Sequence, residues 1–191
     1  MHPPRIPVLV TIIGALVAGC SPAPVETPAP VPSVPTCTPE FGGTPYPCTQ
    51  AEYEANQKSL ERYAEAERVY REFMRLLTEE TVARRPEPSP ELLALAGGAM
   101  KDALPKVRTA SLEQSVIEGE VQILSMVATP HESDQAGNLA MIACVDRSRL
   151  TVTTDGKSTP RGVTPDRIVF DDASGTTVVV STRAEEGATC D

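Results

Sequence analysis

The sequence predicts an α+β fold, in which N-terminal helices pack on a curved, mostly antiparallel sheet of four or five strands. Apolar residues recur every three or four positions over residues 50–83, which is typical of an amphipathic helix. After Val107 the period falls to two, and β-branched segments alternate with turn sequences up to the C-terminus. Because helices come first and strands follow, we expect the sheet to wrap the helices.

The first 36 of the 191 residues form two segments that are not expected to join a folded core. Residues 8–18 are an uncharged apolar run of 11 residues, whereas a membrane-spanning helix needs about 20. The run therefore has the length of a signal-peptide hydrophobic region. Residues 21–36 contain six prolines, and this composition predicts an extended tether because proline lacks the amide donor that sheets need. A proline-rich ligand for a docking module is the alternative.

Residues 17–20 read Val-Ala-Gly-Cys and close the apolar run. They resemble the lipobox of bacterial lipoproteins at all four positions. The resemblance implies attachment of a diacylglyceryl group to the Cys20 thiol, with palmitate among the expected fatty acids, and then cleavage after Gly19. It also implies display on the extracytoplasmic face of the cell membrane. Two acyl chains hold a protein on a bilayer stably, whereas one chain binds only marginally. An ordinary secretory signal with an incidental cysteine is the alternative.

The remaining cysteines predict two disulfides. Once Cys20 is lipidated, four cysteines are left, and an even number in an exported chain indicates paired thiols. Four cysteines permit three pairings, of which we prefer Cys37–Cys48, closing a short loop, and Cys144–Cys190, pinning the last strand. A zinc site is disfavoured because no second cysteine pair and no histidines stand at ligand spacing.

The helical part begins at Thr49, whose spacing to Glu52 is that of a capping box. The apolar stripe of this first helix, at helical spacing, is more often core than binding groove; it comprises Leu60, Tyr63, Ala66, Tyr70, Phe73 and Leu77. A second helix is expected from Ser89 and Pro90. Residues 97–98, both glycine, should interrupt it. A further helical turn or two is expected over residues 99–107, limited by Pro105.

The glycine pair at residues 97–98 lacks the preceding strand and the lysine of a phosphate-binding loop. We therefore expect it to allow close packing of the backbone. The strands that follow are expected over residues 115–128, 139–145, 167–171 and 176–182, with 149–153 either extending the second or forming another. In the first strand, Val121, Ile123 and Val127 should share one face. Leu124 and Met126 should share the other face.

Residues 156–165 are expected to be a loop, because they contain two prolines. The chain as a whole is expected to divide into a signal peptide, a lipidated tether, a disulfide-closed loop and a single α+β domain, at residues 1–19, 20–36, 37–48 and 49–191.

Residues 50–190 resemble small exported lipoproteins of high-GC Gram-positive bacteria, whose folded part is similar to nuclear transport factor 2. The resemblance rests on residues 63–70 (YAEAERVY), 95–99 (LAGGA) and 143–148 (ACVDRS). It implies a cone-like sheet around an interior that can be open. A tryptophan is common in the final strand of that group, whereas this chain has Thr177 and Val178 there.

Composition excludes some partners. The net charge is −9, and the nearest approach to a basic cluster is Arg84-Arg85, so nucleic acid and anionic lipid surfaces are not expected partners. The chain has no tryptophan and few other aromatic residues, which disfavours a stacking platform for bases or sugars. No cofactor is expected. The expected partners are the membrane, through the lipid anchor, and an unidentified envelope component or protein.

Candidate catalytic residues are few. His131 lies in a predicted polar loop, and Asp146 is more simply interpreted as a strand-end carboxylate than as an acid or base inside the cone. We therefore expect a non-catalytic lipoprotein that displays its domain for protein or envelope interaction; infection-blocking lipoproteins encoded by phages are one subclass. The alternatives are a domain that binds a small apolar ligand in the cone, and an isomerase- or dehydratase-like enzyme that uses Asp146 with Tyr63 or Tyr70.

Overall fold

The computed structural model describes residues 34–133 and 136–190. Gly19, Cys20 and most of the expected tether therefore lie outside the described residues. Within the described part, the fold mixes three helices with antiparallel sheets of two, three and four strands. This confirms the predicted combination of helices with antiparallel sheet. The predicted number of strands, four or five, was too low, because the first predicted strand is two strands and short strands also form in segments that were expected to be loops.

Both disulfides expected from the sequence are present. The Cys37–Cys48 disulfide closes a loop whose ends also pair as β1 (Thr36–Cys37) and β2 (Tyr46–Pro47). The Cys144–Cys190 disulfide joins the middle of the sheet to the end of the chain, across a sequence separation of 46 residues.

Helix α1 (Gln50–Val82) has the predicted capping box. The Thr49 hydroxyl accepts a hydrogen bond from the backbone N–H of Glu52, whose carboxylate accepts one from the Thr49 N–H. The predicted apolar stripe is mostly buried, and the buried residues of the helix are Tyr63, Ala66, Val69, Tyr70, Phe73 and Glu80. Repeated Arg–Glu pairs three or four residues apart cover the opposite face.

Helix α2 (Pro90–Ala94) begins at the expected Ser89 cap. Helix α3 (Gly98–Gln114) is longer than predicted and contains Pro105 in its interior. Proline removes the hydrogen bond to the carbonyl of Lys101, but both residues are exposed, so water can satisfy that carbonyl. Leu104 and Arg108 are buried on the other side of the helix, and their burial holds the helix together across the proline.

Seven strands follow the helices, and they form two sheets. A three-stranded sheet has the order β3-β6-β7 and a four-stranded sheet the order β4-β5-β8-β9. Their bounds are β3 Ser115–Gly119, β4 Gln122–Thr129, β5 Leu139–Asp146, β6 Leu150–Thr154, β7 Lys157–Pro160, β8 Val163–Asp171 and β9 Val178–Ala184.

Two strand predictions were wrong in detail. The predicted strand over residues 115–128 is two strands, and the second has a bulge between Ile123 and Ser125. A bulge shifts the alternation by one residue. Met126 therefore packs towards the core, whereas Val127 is exposed. Residues 157–160 form a strand in spite of Pro160, because β7 is an edge strand and needs no donor on its outer side.

The glycine pair has the expected packing role. Gly97 donates a backbone hydrogen bond to the carbonyl of Val179 in β9, at 2.9 Å. A side chain at Gly97 would bring its Cβ within 2.5 Å of the Val178 side chain. This close approach requires glycine and joins the segment before α3 to the edge of the four-stranded sheet.

The core lies between α1 and one face of the four-stranded sheet. Tyr70 and Phe73 of α1 pack with Phe170 of β8, whose ring meets that of Tyr70 edge to face. Alternate residues of β5 face the same way and complete the core; these are Leu139, Met141, Ala143 and Val145. One charged pair is buried beside this core, Glu80 of α1 with Arg108 of α3, at 3.1 Å.

Candidate functional site

A cavity of about 480 Å³ lies between α1, α3 and the strands. Helix α1 supplies one wall through residues at helical spacing, and α3 supplies a second. Val107 at its rim is 60% exposed, so the cavity opens to solvent there. Its apolar lining comprises Phe73, Met74, Leu77, Met100, Ala103, Leu104, Val107, Ile117, Val121 and Leu150.

The cavity also has polar groups, which converge from α1 and the four-stranded sheet. They are Tyr70, Thr78, Thr81, Arg147, Asp166 and Thr182. The Tyr70 side chain is fully buried, and its hydroxyl has no hydrogen-bond partner. Burial raises the pKa of Tyr70, and the nearby Asp166 carboxylate raises that pKa further. The hydroxyl therefore stays protonated beside the Asp166 carboxylate.

Asp166 is held by charged and polar neighbours. Its carboxylate pairs with the guanidinium of Arg147, and the hydroxyl of Thr164 lies 3.4 Å from it. The Arg147 guanidinium also contacts Thr164. The side chains of Arg147 and Asp166 retain 23% and 10% of their exposure, so the pair lies at the boundary between the cavity interior and solvent.

Strand alternation explains why Asp166 belongs to the cavity and Asp146 does not. In β8, Asp166 lies on the same face as the buried Ile168 and Phe170. In β5, Val145 faces the core and Asp146 therefore points to the opposite face. Asp146 accepts a hydrogen bond from the backbone N–H of Ser148 at 2.7 Å.

This arrangement agrees with the interpretation of Asp146 as a strand-end carboxylate. Hydrogen bonds from Ser148 lower the pKa of Asp146. Asp146 does not line the cavity, and the structure does not bring it together with Tyr70 there. The pairing of Asp146 with Tyr70 in one catalytic site, one of the alternatives, has no geometric support in the described residues.

The other candidates of the sequence lie elsewhere. Tyr63 lines a second cleft, formed with the disulfide loop, and its pKa is raised by burial first and by Glu40 next. His131 is half-buried outside the cavity, and its Nε2 has no hydrogen-bond partner. The paired cysteines Cys37, Cys48, Cys144 and Cys190 do not line the cavity. No group of three potential metal ligands occurs in residues 34–133 and 136–190.

Asp166 was not predicted as a site residue, because residues 156–165, which include Pro165, were expected to form a loop. Extending the alternation of Ile168 and Phe170 backwards would have placed Asp166 at a core-facing position. A carboxylate at such a position needs a partner or a function, and this signal could have identified it.

No protein-family model, no curated protein and no solved structure matches this chain. No helix within the described residues is long and apolar enough to cross a membrane.

Proposed function

We propose that this chain is an exported, lipid-anchored protein whose folded domain binds a small, mainly apolar ligand without a chemical step. The observation that carries the proposal is the cavity, in which a mainly apolar lining meets the polar side chains of Arg147, Asp166 and Thr182. Sites for small ligands are typically clefts of 300–1,000 Å³ with apolar linings and a few convergent polar groups. The volume of about 480 Å³ lies within that range.

The arrangement of α1 against strands of two sheets supports a cone-like fold. Helix α1 contacts β3 of the three-stranded sheet and β4 and β9 of the four-stranded sheet. We propose that these sheets curve around α1 and leave the cavity at the end where α3 covers it. Binding without catalysis is supported by Asp166, whose carboxylate oxygens already contact Arg147 and Thr164.

Filling the cavity should abolish ligand binding without unfolding the domain. Ala103 on α3 lines the cavity, and Ala103→Phe should place a ring where the ligand lies. We expect the affinity for the neutral fluorescent probe 1-aminoanthracene to fall by more than about tenfold, which corresponds to 1.4 kcal/mol. Fluorescence titration of the purified chain measures this change.

The matched control is Ala110→Phe, two turns further along the same helix, where the residue is exposed and lies outside the cavity lining. It should leave probe affinity within about twofold of the original, a difference below 0.5 kcal/mol. Thermal unfolding of both variants checks that the fold is retained. Absence of probe binding to the unaltered protein, or equal loss of binding in both variants, contradicts the proposed function.

The proposed location rests on the lipobox-like sequence ending in Cys20. We expect Cys20→Ala, in the full chain expressed in a bacterium that processes lipoproteins, to remove the protein from the membrane fraction or to leave it unprocessed. A variant lacking both Cys37 and Cys48 is the control and should stay in the membrane fraction. Normal processing and membrane retention of Cys20→Ala would overturn the lipid-anchor proposal.

A second candidate function is contact with a protein or an envelope component through the disulfide-closed loop. Phe41 and Tyr46 in this loop are 51% and 48% exposed, and aromatic side chains are enriched at protein interfaces. Phe41 also lines the second cleft together with Val127, which is 57% exposed. This candidate and ligand binding in the cavity use different surfaces of the domain.

A further inference from the structure

A cleft of about 350 Å³ adjoins the cavity on the side of β8 and β9. Three residues line both spaces, namely Arg147, Asp166 and Thr182. The apolar cavity and the cleft therefore meet at the Arg147–Asp166 pair. A ligand longer than the cavity would extend into this cleft.

The cleft is positively charged, in contrast to the chain as a whole. Arg147, Arg161 and Arg183 line it with Asp166 as the only lining carboxylate among the described residues. Arg147 pairs with Asp166, and Arg183 lies 3.1 Å from Glu132. Arg161 is exposed and forms no ion pair with any described residue.

We propose that this cleft is a head-group subsite, and that the ligand is a single-chain amphiphile with an anionic carboxylate or phosphate head. This inference rests on the proposed function, since the alkyl chain would occupy the apolar cavity. Arg161 would bind the head group, because a guanidinium forms paired, charge-assisted hydrogen bonds with planar carboxylates and with phosphates.

The charge distribution favours binding of an anion in the cleft. The net charge of −9 opposes adhesion to anionic surfaces, yet the excess of arginine in the cleft attracts a single anion. The ion pair between Arg147 and Asp166 neutralises the buried part of the site, so the head group need not compete with an unpaired carboxylate. The interaction should weaken with salt, because Arg161 is exposed.

Four amphiphiles with the same alkyl chain separate head-group recognition from chain binding. Dodecanoate, dodecyl phosphate, dodecanol and dodecylammonium would be compared by displacement of 1-aminoanthracene from the purified chain. We expect the two anions to bind about tenfold more tightly than the alcohol, and the cation to bind most weakly. The tighter of the two anions identifies the preferred head.

The variant Arg161→Gln should weaken binding of the anions by about fivefold and leave dodecanol binding unchanged. Arg149→Gln is the control, since Arg149 is also exposed but pairs with Glu120 and does not line the cleft. Equal affinities for anion and alcohol, tightest binding of the cation, or no effect of Arg161→Gln would overturn the head-group subsite. Failure of every amphiphile and of the probe to bind would instead overturn the proposed function.

Discussion

Arg108→Met should lower the free energy of unfolding by about 3–5 kcal/mol, because it leaves the Glu80 carboxylate buried without its counterion. Both side chains retain only 3% of their exposure, and they lie 3.1 Å apart. The Glu80 carboxylate also lies 3.3 Å from the backbone N–H of Ser89. One buried carboxylate therefore connects α1, the start of α2 and α3.

The pair is a costly arrangement even when intact. Desolvation lowers the pKa of Arg108, and the Glu80 carboxylate opposes that lowering. The Nε and Nη1 atoms of Arg108 are buried without a hydrogen-bond partner, and Nη2 pairs with Glu80 without good hydrogen-bond geometry. Removal of both charges should therefore be tolerated far better than removal of one.

The double variant Glu80→Gln/Arg108→Met separates these effects. It should recover most of the stability lost in Arg108→Met, because glutamine keeps an acceptor for the Ser89 N–H and buries no charge. The control is Arg75→Met, which disrupts an exposed Arg–Glu pair on α1, the helix that carries Glu80. It should change the free energy of unfolding little. Urea denaturation followed by circular dichroism measures the stability of the three variants. Equal stability of Arg108→Met and the original chain would contradict the proposed role of the buried ion pair.

Removal of the Cys144–Cys190 disulfide should lower the free energy of unfolding by about 4 kcal/mol. The bridge spans 46 residues of sequence, and in the chain-entropy model a long closed loop restricts the unfolded chain strongly. It also joins β5, which has neighbours on both sides in the sheet, to the C-terminal end. We expect Cys144→Ala/Cys190→Ala to unfold at a lower urea concentration than the original chain.

The shorter bridge provides the comparison. Cys37 and Cys48 are 11 residues apart. The variant Cys37→Ala/Cys48→Ala should therefore lower the free energy of unfolding by about 3 kcal/mol, which is less than the loss expected for the variant without the longer bridge. Unfolding of each variant under the same non-reducing conditions tests this order. If removal of the 46-residue bridge had no effect on stability, its proposed role in pinning the end of the chain would be wrong.

Helix α1 was predictable because several local signals agree over a long segment. The capping box at Thr49 and Glu52 marks its start, and the stripe through Tyr63, Tyr70 and Phe73 marks its buried face. The disulfide pairing that was preferred from proximity and element placement is confirmed, since the structure joins Cys37 to Cys48 and Cys144 to Cys190.

Helix α3 and the strands around the cavity were harder to predict, because tertiary contacts overrode local signals. Pro105 would end an isolated helix, but the burial of Leu104 and Arg108 carries α3 past it. Pro165 suggested a loop, yet β8 runs from Val163 through Asp166. The cavity itself depends on how α3 covers one end of α1, which no local pattern in the sequence reports.

The most direct test of ligand binding in the cavity is the NMR response of the methionine methyl groups to 1-aminoanthracene. Met74 and Met100 line the cavity, whereas Met126 and Met141 line the cleft beside the disulfide loop. Saturating probe should shift the methyl signals of Met74 and Met100 and leave those of Met126 and Met141 in place. Shifts confined to Met126 and Met141, or no shift at all, would contradict the central claim.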